Sequence, residues 1–120
     1  MSATVELVAR HLAAAWNYDW IELRQSISNK PELYVSGRNW SRSKWGVGEL
    51  YRYVSQAWDF IPGEINYVED GEGIVRVTMH LVNGNGWIKH VGGEYRVQGD
   101  RITHIRLVDS RPSRMNSNPN

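Results

Sequence analysis

Polar side chains with chemical capacity recur at every second position in the C-terminal half of the chain. Arg76, Thr78 and His80 alternate in one segment, and Lys89 and Tyr95 belong to an alternating series in the next. If both segments are strands, each series lies on one face of a sheet. An imidazole can act as general acid or base, a cation can stabilise an enolate, and a tyrosine can donate to a carbonyl. This set suits proton transfer or cyclisation of a small carbonyl compound.

Several other kinds of site lack the residues that they need. The chain has 120 residues, no cysteine and four histidines, and the histidines form neither a helical pair nor an H-E-x-x-H motif. No clustered acids accompany them, so the sequence predicts no metal site. Gly46 and Gly48 lack a preceding strand and a P-loop lysine, which argues against nucleotide binding. We therefore expect no cofactor.

The composition is that of a globular protein with balanced charge. A hydrophobic content of 41%, a charged content of 22% and a net charge of +1 argue against a nucleic-acid-binding surface. No apolar stretch approaches the length of a membrane span, and the N-terminus does not resemble a signal peptide. We therefore expect a cytoplasmic protein that binds neither nucleic acid nor membrane. Six Trp and six Tyr accompany one Phe, and such aromatic residues suit pockets and interfaces as well as a small core.

Four consecutive strands are predicted in the second half of the chain, joined by sharp turns. The strands are Ile65–Glu69, Gly73–Val82, Trp87–Val97 and Arg101–Asp109. Turn-forming dipeptides stand between them, at Asp70-Gly71, Asn83-Gly84 and Gly99-Asp100. An antiparallel meander of this kind curls when helices pack against it.

The first half of the chain predicts three helices. Ser2 or Thr4 can cap the first, and Asp19 begins the second, which ends at Asn29–Pro31 because proline disfavours helical geometry in the preceding residue. The third begins at Gly46 or Gly48. Between the second and third helices the pattern predicts a short strand and a loop, and a break precedes the sheet. These three segments are Glu32–Gly37, Arg38–Lys44 and Ile61–Gly63.

Helices followed by a curled meander predict an α+β fold shaped as a half-open cone that encloses a pocket. Residues 1–110 are predicted to form this single domain. Residues 111–120 are polar and include two prolines, so they are predicted to be a disordered tail.

Three segments resemble the SnoaL-like branch of the nuclear transport factor 2-like superfamily in order and spacing. They are LAAAWNYDWIELRQSIS (Leu12–Ser28), WGVGELYRYV (Trp45–Val54) and GGEYRVQGDRITHIRLVD (Gly92–Asp109). The resemblance covers residues 4 to 110. It implies a cone-shaped α+β barrel, in which a curved, mainly antiparallel sheet wraps around three N-terminal helices. Members include polyketide cyclases, ketosteroid isomerases, limonene epoxide hydrolases, dehydratases and non-catalytic proteins, so fold alone does not fix function.

Hydrophobicity and the resemblance disagree about which face of the Gly73–Val82 strand lies inward. Hydrophobicity would bury one set of residues under the helices, namely Val75, Val77, Met79 and Leu81. The resemblance instead turns Arg76, Thr78 and His80 inward, and leaves the apolar set together with Ile88 for a homodimer interface on the outer sheet face. We adopt the resemblance for the prediction, although a one-residue slip would exchange the two faces.

The resulting cavity contains a catalytic set and a ligand-binding set. The predicted catalytic residues are His80, Arg76, Tyr95 and Asp109. The predicted ligand-binding residues are His11, Trp16, Tyr53, Thr78, Trp87 and Lys89. The last strand is left open: the resemblance points Ile105, Leu107 and Asp109 inward, whereas a two-residue hairpin would point His104 and Arg106 inward. The segment Arg38–Trp45 mixes cations with aromatic residues, and is either a lid over an aromatic or anionic ligand or a solvated loop.

No established active site of the family carries over to these positions. By the resemblance, the base, tyrosine and acid of ketosteroid isomerases fall on Val35, His11 and Gly93, and the base of SnoaL-like cyclases falls on Leu107. The Asp-Arg-Asp set of limonene epoxide hydrolases, with its Tyr and Asn, falls on Arg76, Ile74, Leu107, Leu33 and Val35. Each polar candidate also has a structural interpretation: His11 as a core histidine, His80 as a surface or interface residue, and Arg76 as the partner of Glu94 or Asp109 in an ion pair.

Two functions remain open at this point. The first is an isomerase, cyclase or dehydratase acting on a small apolar carbonyl compound. The second is a non-catalytic module, which either binds a small hydrophobic or aromatic molecule or acts as a dimeric interaction domain.

Overall fold

Helices come first in the chain and a large sheet follows. The computed structural model describes residues 2–41 and 43–115. In those residues the α-helices are α1 (Ala3–Trp16), α2 (Trp20–Gln25) and α3 (Val47–Val54), and a short 3-10 helix, Lys44–Gly46, precedes α3. The strands are β1 (Ile27–Val35), β2 (Arg38–Ser41), β3 (Ile61–Glu69), β4 (Ile74–Val82), β5 (Trp87–Gln98), β6 (Arg101–Asp109) and β7 (Ser113–Arg114).

The strands form one curved, mixed sheet in the order β2-β1-β6-β5-β4-β3, and β7 pairs with β5. Among the strand pairs of the described residues, β1 and β6 run parallel and the others are antiparallel. The helices cover one face of this sheet, which confirms the predicted cone-shaped α+β architecture. Within the described ranges, no helix is long and apolar enough to cross a membrane.

Both predicted N-terminal caps are present. The Ser2 hydroxyl accepts a hydrogen bond from the Val5 backbone N–H at 3.2 Å, and the Asp19 carboxylate accepts one from the Glu22 N–H at 3.2 Å. Each side chain satisfies a backbone donor that the first helical turn leaves without a partner. The two helices therefore begin where the sequence predicts.

The second helix ends earlier than predicted. It stops at Gln25, and Asn29–Pro31 lie inside strand β1 rather than at a helix end. The β1–β6 pairing shifts register between Ile27 and Glu32, so proline falls where the ladder is interrupted and removes no ladder hydrogen bond. Pairing with β6 outweighs the local preference of this segment.

Three further segments gain strand structure that the local pattern does not predict. Arg38–Ser41, predicted as a loop, is the edge strand β2. Strand β3 begins at Ile61 rather than Ile65, because Pro62 and the following glycine are tolerated at an edge-strand register shift. Within the predicted tail, Ser113–Arg114 pairs with β5 instead of being disordered. Residues 116–120 lie outside the described residues.

The predicted orientation of β4 is wrong, because the β4–β5 turn is one residue longer than assumed. The Asn83 N–H donates to the Trp87 carbonyl at 3.1 Å, and Val82 pairs with Ile88. Gly86 takes φ +82, which a hairpin with a three-residue loop needs. The slip of one position buries the apolar set, at 0–2% exposure: Val75, Val77, Met79 and Leu81.

The same shift removes the argument for a dimer through this face. Four of the five residues predicted to form an outer apolar surface, Val75, Val77, Met79 and Leu81, lie in the core under the helices, whereas Ile88 is partly exposed. Homodimerisation stays a prediction without that support. On β6, Ile105 and Leu107 are buried, so the orientation implied by the resemblance is the observed one.

Candidate binding site

The interior of the cone is filled by a chain of hydrogen-bonded side chains. The His11 Nδ1 lies 2.7 Å from the Ser26 hydroxyl, and its Nε2 lies 2.7 Å from the Tyr51 hydroxyl. The Tyr51 hydroxyl lies 2.7 Å from that of Tyr95. The histidine and both tyrosines are fully buried. Helices α1 and α3 and strand β5 therefore meet through polar contacts at the centre of the fold.

The chemistry of the groups fixes the direction of these hydrogen bonds. The Ser26 hydroxyl donates its one proton to the Leu23 carbonyl at 2.8 Å, so it accepts from the His11 Nδ1–H. Burial lowers the pKa of His11 to about 3, so the neutral ring accepts at Nε2. Tyr51 donates there and accepts from Tyr95. Burial raises the pKa of both tyrosines, which keeps their hydroxyls protonated as donors.

The polar groups at the centre of the cone bind one another, and the side chains that carry them are buried. Each ring nitrogen of His11 and each tyrosine hydroxyl already has a partner within the chain. A Cβ on Gly93 would lie 2.9 Å from the Tyr95 ring and 3.0 Å from Leu107, so the missing side chain makes the space that the ring fills. The cone is closed by its own histidine and tyrosines.

A buried ion pair leads from the core to the rim of the cone. Lys89 is 1% exposed, and its Nζ donates to the Val54 carbonyl at 2.6 Å. The same nitrogen lies 2.9 Å from Asp109 Oδ1, an ion-pair distance without hydrogen-bond geometry. The Asp109 side chain is 20% exposed, so it connects the buried ammonium to the surface.

A cleft of about 400 Å³ opens beside this ion pair. We call it the mouth cleft; its lining includes Arg38, Trp40, Tyr53, Gln56, Asp109 and Arg111. The ends of β1 and β6, the edge strand β2, the end of α3 and the segment after β6 supply these side chains. Residues far apart in the sequence therefore meet at one rim.

The mouth cleft combines an aromatic wall with positive charge. The rings of Trp40 and Tyr53 lie 4.8 Å apart at 47°, and Tyr53 is 49% exposed. Asp109 has Lys89 as its counterion, whereas neither Arg38 nor Arg111 has a carboxylate partner among the described residues. An aromatic ring can stack on the wall while an anionic group meets the arginines.

A strained turn borders the mouth cleft. Gln56, Ala57 and Trp58 have φ values of 52°, 58° and 71°, which L-residues seldom adopt in succession. The Ser55 hydroxyl accepts from the Trp58 N–H at 2.9 Å, and the Ala57 N–H donates to the Arg52 carbonyl at 2.7 Å. Strained backbone of this kind persists where the surroundings hold it, and it occurs often at binding sites.

We expect Ala57→Gly to stabilise the protein by about 1 kcal/mol, because glycine adopts positive φ without the clash of a Cβ. Ala57 is exposed, so the lost methyl group removes little packing. Urea denaturation gives the free energy of unfolding. The matched control is Ala13→Gly, an exposed position inside α1, which should destabilise by about 1 kcal/mol. Destabilisation in both variants would contradict the strained-turn interpretation.

The structure places the predicted β4 residues outside the cone, which corrects that part of the predicted site. The His80 ring packs edge-on against His90, with centroids 4.5 Å apart. Arg76 pairs with Asp70 at 2.5 Å and with Glu94 at 3.2 Å. Thr78 is exposed on the same outer face. The turn that shifts β4 by one residue accounts for all three positions.

Three other predicted residues point inward but are closed off. His11 and Tyr95 belong to the buried chain, and Lys89 belongs to the buried ion pair. Trp16 is half-buried and packs against Trp58 with ring centroids 5.5 Å apart; its Nε1 is buried without a hydrogen-bond partner among the described residues.

Three predicted residues border clefts at the rim. Asp109 and Tyr53 line the mouth cleft, and Trp87 lines an adjoining depression of about 300 Å³. The sequence interpretation missed Arg111, because it was assigned to the tail. The mixture of cations and aromatic residues in Arg38–Trp45 gave a signal for Arg38 and Trp40. Across residues 2–41 and 43–115, no group of three or more His, Asp or Glu could hold a metal ion.

Comparisons with solved structures support the architecture. A protein from Sphaerobacter thermophilus is 16% identical, with 92% of this chain and 98% of that chain covered and a TM-score of 0.73. An NTF2-like protein of unknown function from Cytophaga hutchinsonii is 12% identical, with 92% of each chain covered and a TM-score of 0.68. An uncharacterized cystatin-fold protein from Novosphingobium aromaticivorans is 16% identical, with 89% and 98% covered and a TM-score of 0.71. Neither a protein-family model nor a curated protein sequence matches. These likenesses show the fold alone.

Proposed function

We propose that this chain, which has the NTF2-like cone fold, is a binding module for a small aromatic molecule that carries a carboxylate. The mouth cleft is the proposed site. Its volume of about 400 Å³ suits a compound of one or two fused rings. The proposal places function at the rim of the cone rather than in its interior.

One observation carries this proposal: the interior is packed shut while the rim remains open. The buried His11–Tyr51–Tyr95 chain gives each of its polar side-chain atoms a hydrogen-bond partner within the protein. At the rim, Tyr53 is half-exposed beside Trp40, and two arginines lack carboxylate partners in the described part of the chain. Exposed aromatic surface next to unpaired cations is typical of a site for aromatic anions.

Each group in the cleft has a part in recognition. The Trp40–Tyr53 wall receives the ring system by stacking. Arg38 or Arg111 forms a charge-assisted, two-point contact with the carboxylate. Asp109, held by Lys89, accepts a hydrogen bond from a hydroxyl or amide on the ligand.

A second candidate function is proton transfer on a bound carbonyl compound, and the position of Asp109 favours it. Its carboxylate is the one acid in the described lining of the mouth cleft, and it lies 2.9 Å from the Lys89 ammonium. If Asp109 is the catalytic base, a bound ketone should exchange its α-protons with solvent deuterium, and Asp109→Asn should abolish this exchange. Unchanged exchange in this variant would reject the assignment.

We further propose that the chain belongs to the SnoaL-like branch, on the sequence segments Leu12–Ser28, Trp45–Val54 and Gly92–Asp109. Membership in this branch does not by itself imply an enzymatic activity for this chain. The position of the branch's catalytic acid holds Leu107, which is buried.

The binding proposal is tested with 2-naphthoate as the probe and 2-naphthalenemethanol as its uncharged analogue. Calorimetric titration should give a dissociation constant about tenfold lower for the naphthoate, because only it has a charge for the arginines. Tyr53→Ala should weaken naphthoate binding by about tenfold through the lost stacking surface.

The matched control is Tyr34→Ala. Tyr34 lies on β1 between the inward-facing Leu33 and Val35, and its ring packs under Arg106 at 4.5 Å, away from the cleft. This variant should bind naphthoate as the wild type does. Equal loss in both variants, or unchanged binding in Tyr53→Ala, would reject the mouth cleft as the site.

A further inference from the structure

A second cleft, of about 290 Å³, lies among the helices on the other side of the strained turn. We call it the helix groove; its walls include Trp20, Trp45, Trp58, Arg24, Lys44 and Arg52. It is separate from the mouth cleft, although Gln56 and Trp58 of one turn border the two sites.

The helix groove presents indole faces from three different elements. Trp20 begins α2, Trp45 lies in the 3-10 helix, and Trp58 follows α3. The rings of Trp20 and Trp58 lie 5.8 Å apart at 50°, and Trp45 is 67% exposed. A Cβ on Gly48 would lie 3.4 Å from the Trp20 ring, so the glycine leaves space beside one part of that ring. A planar ligand can therefore contact several indoles at once.

Positive charge surrounds these rings. Among the described residues, the groove is lined by three cations, Arg24, Lys44 and Arg52, and by one carboxylate, Glu49. Glu49 lies 3.8 Å from Arg52 and offsets that charge. Neither Arg24 nor Lys44 has a carboxylate partner in residues 2–41 and 43–115. Two positive charges are left over, which repel a cationic ligand and attract a dianion.

Arg24 joins the aromatic and the charged parts of the groove. Its guanidinium lies over the Trp45 ring, 4.5 Å from the centroid. Stacking holds the planar group in place and leaves its edge N–H groups directed sideways for a two-point contact with an oxyanion. A phosphate group supplies such an edge and carries close to two negative charges near neutral pH.

We propose that the helix groove is a binding site for a small aromatic phosphate monoester. The aromatic ring lies against Trp20 and Trp58, with Trp45 at the edge. The phosphate is bound by Arg24 and Lys44. The site differs from the mouth cleft in its place among the helices and in the Arg24 guanidinium stacked on the Trp45 ring, and its two uncompensated cations favour a doubly charged group over a singly charged one.

Four compounds separate the contributions of ring and charge. The probe is 1-naphthyl phosphate; 1-naphthol has the ring without charge, inorganic phosphate has the charge without the ring, and 1-naphthalenesulfonate has a single charge. At about pH 7.5 the phosphate ester is a dianion. Calorimetry should give 1-naphthyl phosphate the lowest dissociation constant, about tenfold below that of the sulfonate. Binding of 1-naphthol as tight as that of the ester would overturn the proposal.

Two variants place the ligand in the groove. Trp45→Ala removes an exposed ring and Arg24→Gln removes the stacked cation, and each should raise the dissociation constant of 1-naphthyl phosphate about tenfold. The matched control is Arg106→Gln, because Arg106 also lies 4.5 Å over an aromatic ring, that of Tyr34, but on another surface. Circular dichroism verifies that every variant is folded.

The remaining outcomes distinguish the groove from other surfaces. Unchanged binding in Trp45→Ala and Arg24→Gln, or an equal loss in Arg106→Gln, would overturn the proposal. Tyr53→Ala, in the mouth cleft, should leave binding of 1-naphthyl phosphate within about twofold of the wild type. A tenfold loss in that variant would assign the ester to the mouth cleft instead.

Discussion

Asp109→Ala is expected to lower the free energy of unfolding by about 3 kcal/mol, because it leaves the Lys89 ammonium buried without a counterion. Lys89 is 1% exposed, and besides Asp109 its Nζ contacts the Val54 carbonyl at 2.6 Å and lies 5.5 Å from the centroid of the Phe60 ring. A carbonyl offsets only part of the cost of a buried charge. Urea denaturation of the variant and the wild type at the same pH measures the difference.

A rescue variant and a surface control complete this test. Replacing both partners, as Lys89→Met with Asp109→Asn, should recover most of the lost stability because no unpaired charge is left. Glu49→Ala breaks the exposed Arg52–Glu49 pair at 3.8 Å, and should cost no more than about 0.5 kcal/mol. If Asp109→Ala costs as little as Glu49→Ala, the lysine reaches solvent and the buried ion pair is wrong.

His11→Gln is expected to destabilise the protein by about 2–3 kcal/mol at neutral pH. The substitution interrupts the chain and leaves the Tyr51 hydroxyl and the Ser26 hydroxyl, both buried, with poorly placed partners. His80→Gln, on the outer face, should change the free energy of unfolding by less than about 0.5 kcal/mol at neutral pH. An equal cost in the two variants would show that the buried chain adds nothing specific to stability.

The same histidine gives the wild type a distinct pH dependence. Burial lowers the pKa of His11 to about 3 in the folded state, whereas the unfolded residue titrates near its ordinary value of 6.5. Between these values the unfolded state binds the additional proton. This contribution to stability is therefore fully present above about pH 6.5 and is lost as the pH falls, by up to about 1.4 kcal/mol per pH unit.

The comparison with two variants isolates this effect from the titration of carboxylates. The stability advantage of the wild type over His11→Gln should shrink as the pH falls below about 6.5 and should reverse before about pH 3, since the glutamine does not titrate. Tyr51→Phe breaks the chain at another point but keeps the imidazole, so it should retain the wild-type slope. A wild-type slope in His11→Gln would contradict the lowered pKa of His11.

The architecture could be predicted from the sequence because local signals and topology agree. Ser2 and Asp19 cap the helices that they precede, and the four-strand meander follows from its turn dipeptides. The failures occur where pairing overrides local preference. The local sequence of Asn29–Pro31 predicts the end of a helix. In the structure this segment lies within β1, because the residues on either side of it pair with β6.

The site was harder to predict because it depends on one turn and on packing volumes. A single additional residue in the Asn83–Trp87 turn moves His80 from the predicted cavity to the outer face. Hydrophobicity alone gave the correct orientation of β4. No local pattern shows that the missing side chain of Gly93 allows the Tyr95 ring to fill the interior. The mouth cleft joins Arg38, Tyr53 and Arg111, which only the tertiary fold brings together.

The central claim is that ligands bind at the mouth cleft and do not enter the cone. The chain has six tryptophans, so the indole N–H resonances of a nitrogen-15-labelled sample report on separate regions during titration with 2-naphthoate. Single Trp→Phe variants assign them. The account predicts a saturable shift of the Trp40 resonance and an unchanged Trp16 resonance, since Trp16 packs inside against Tyr51. A saturable shift of Trp16 with Trp40 unchanged would show that the ligand enters the interior and would contradict the account.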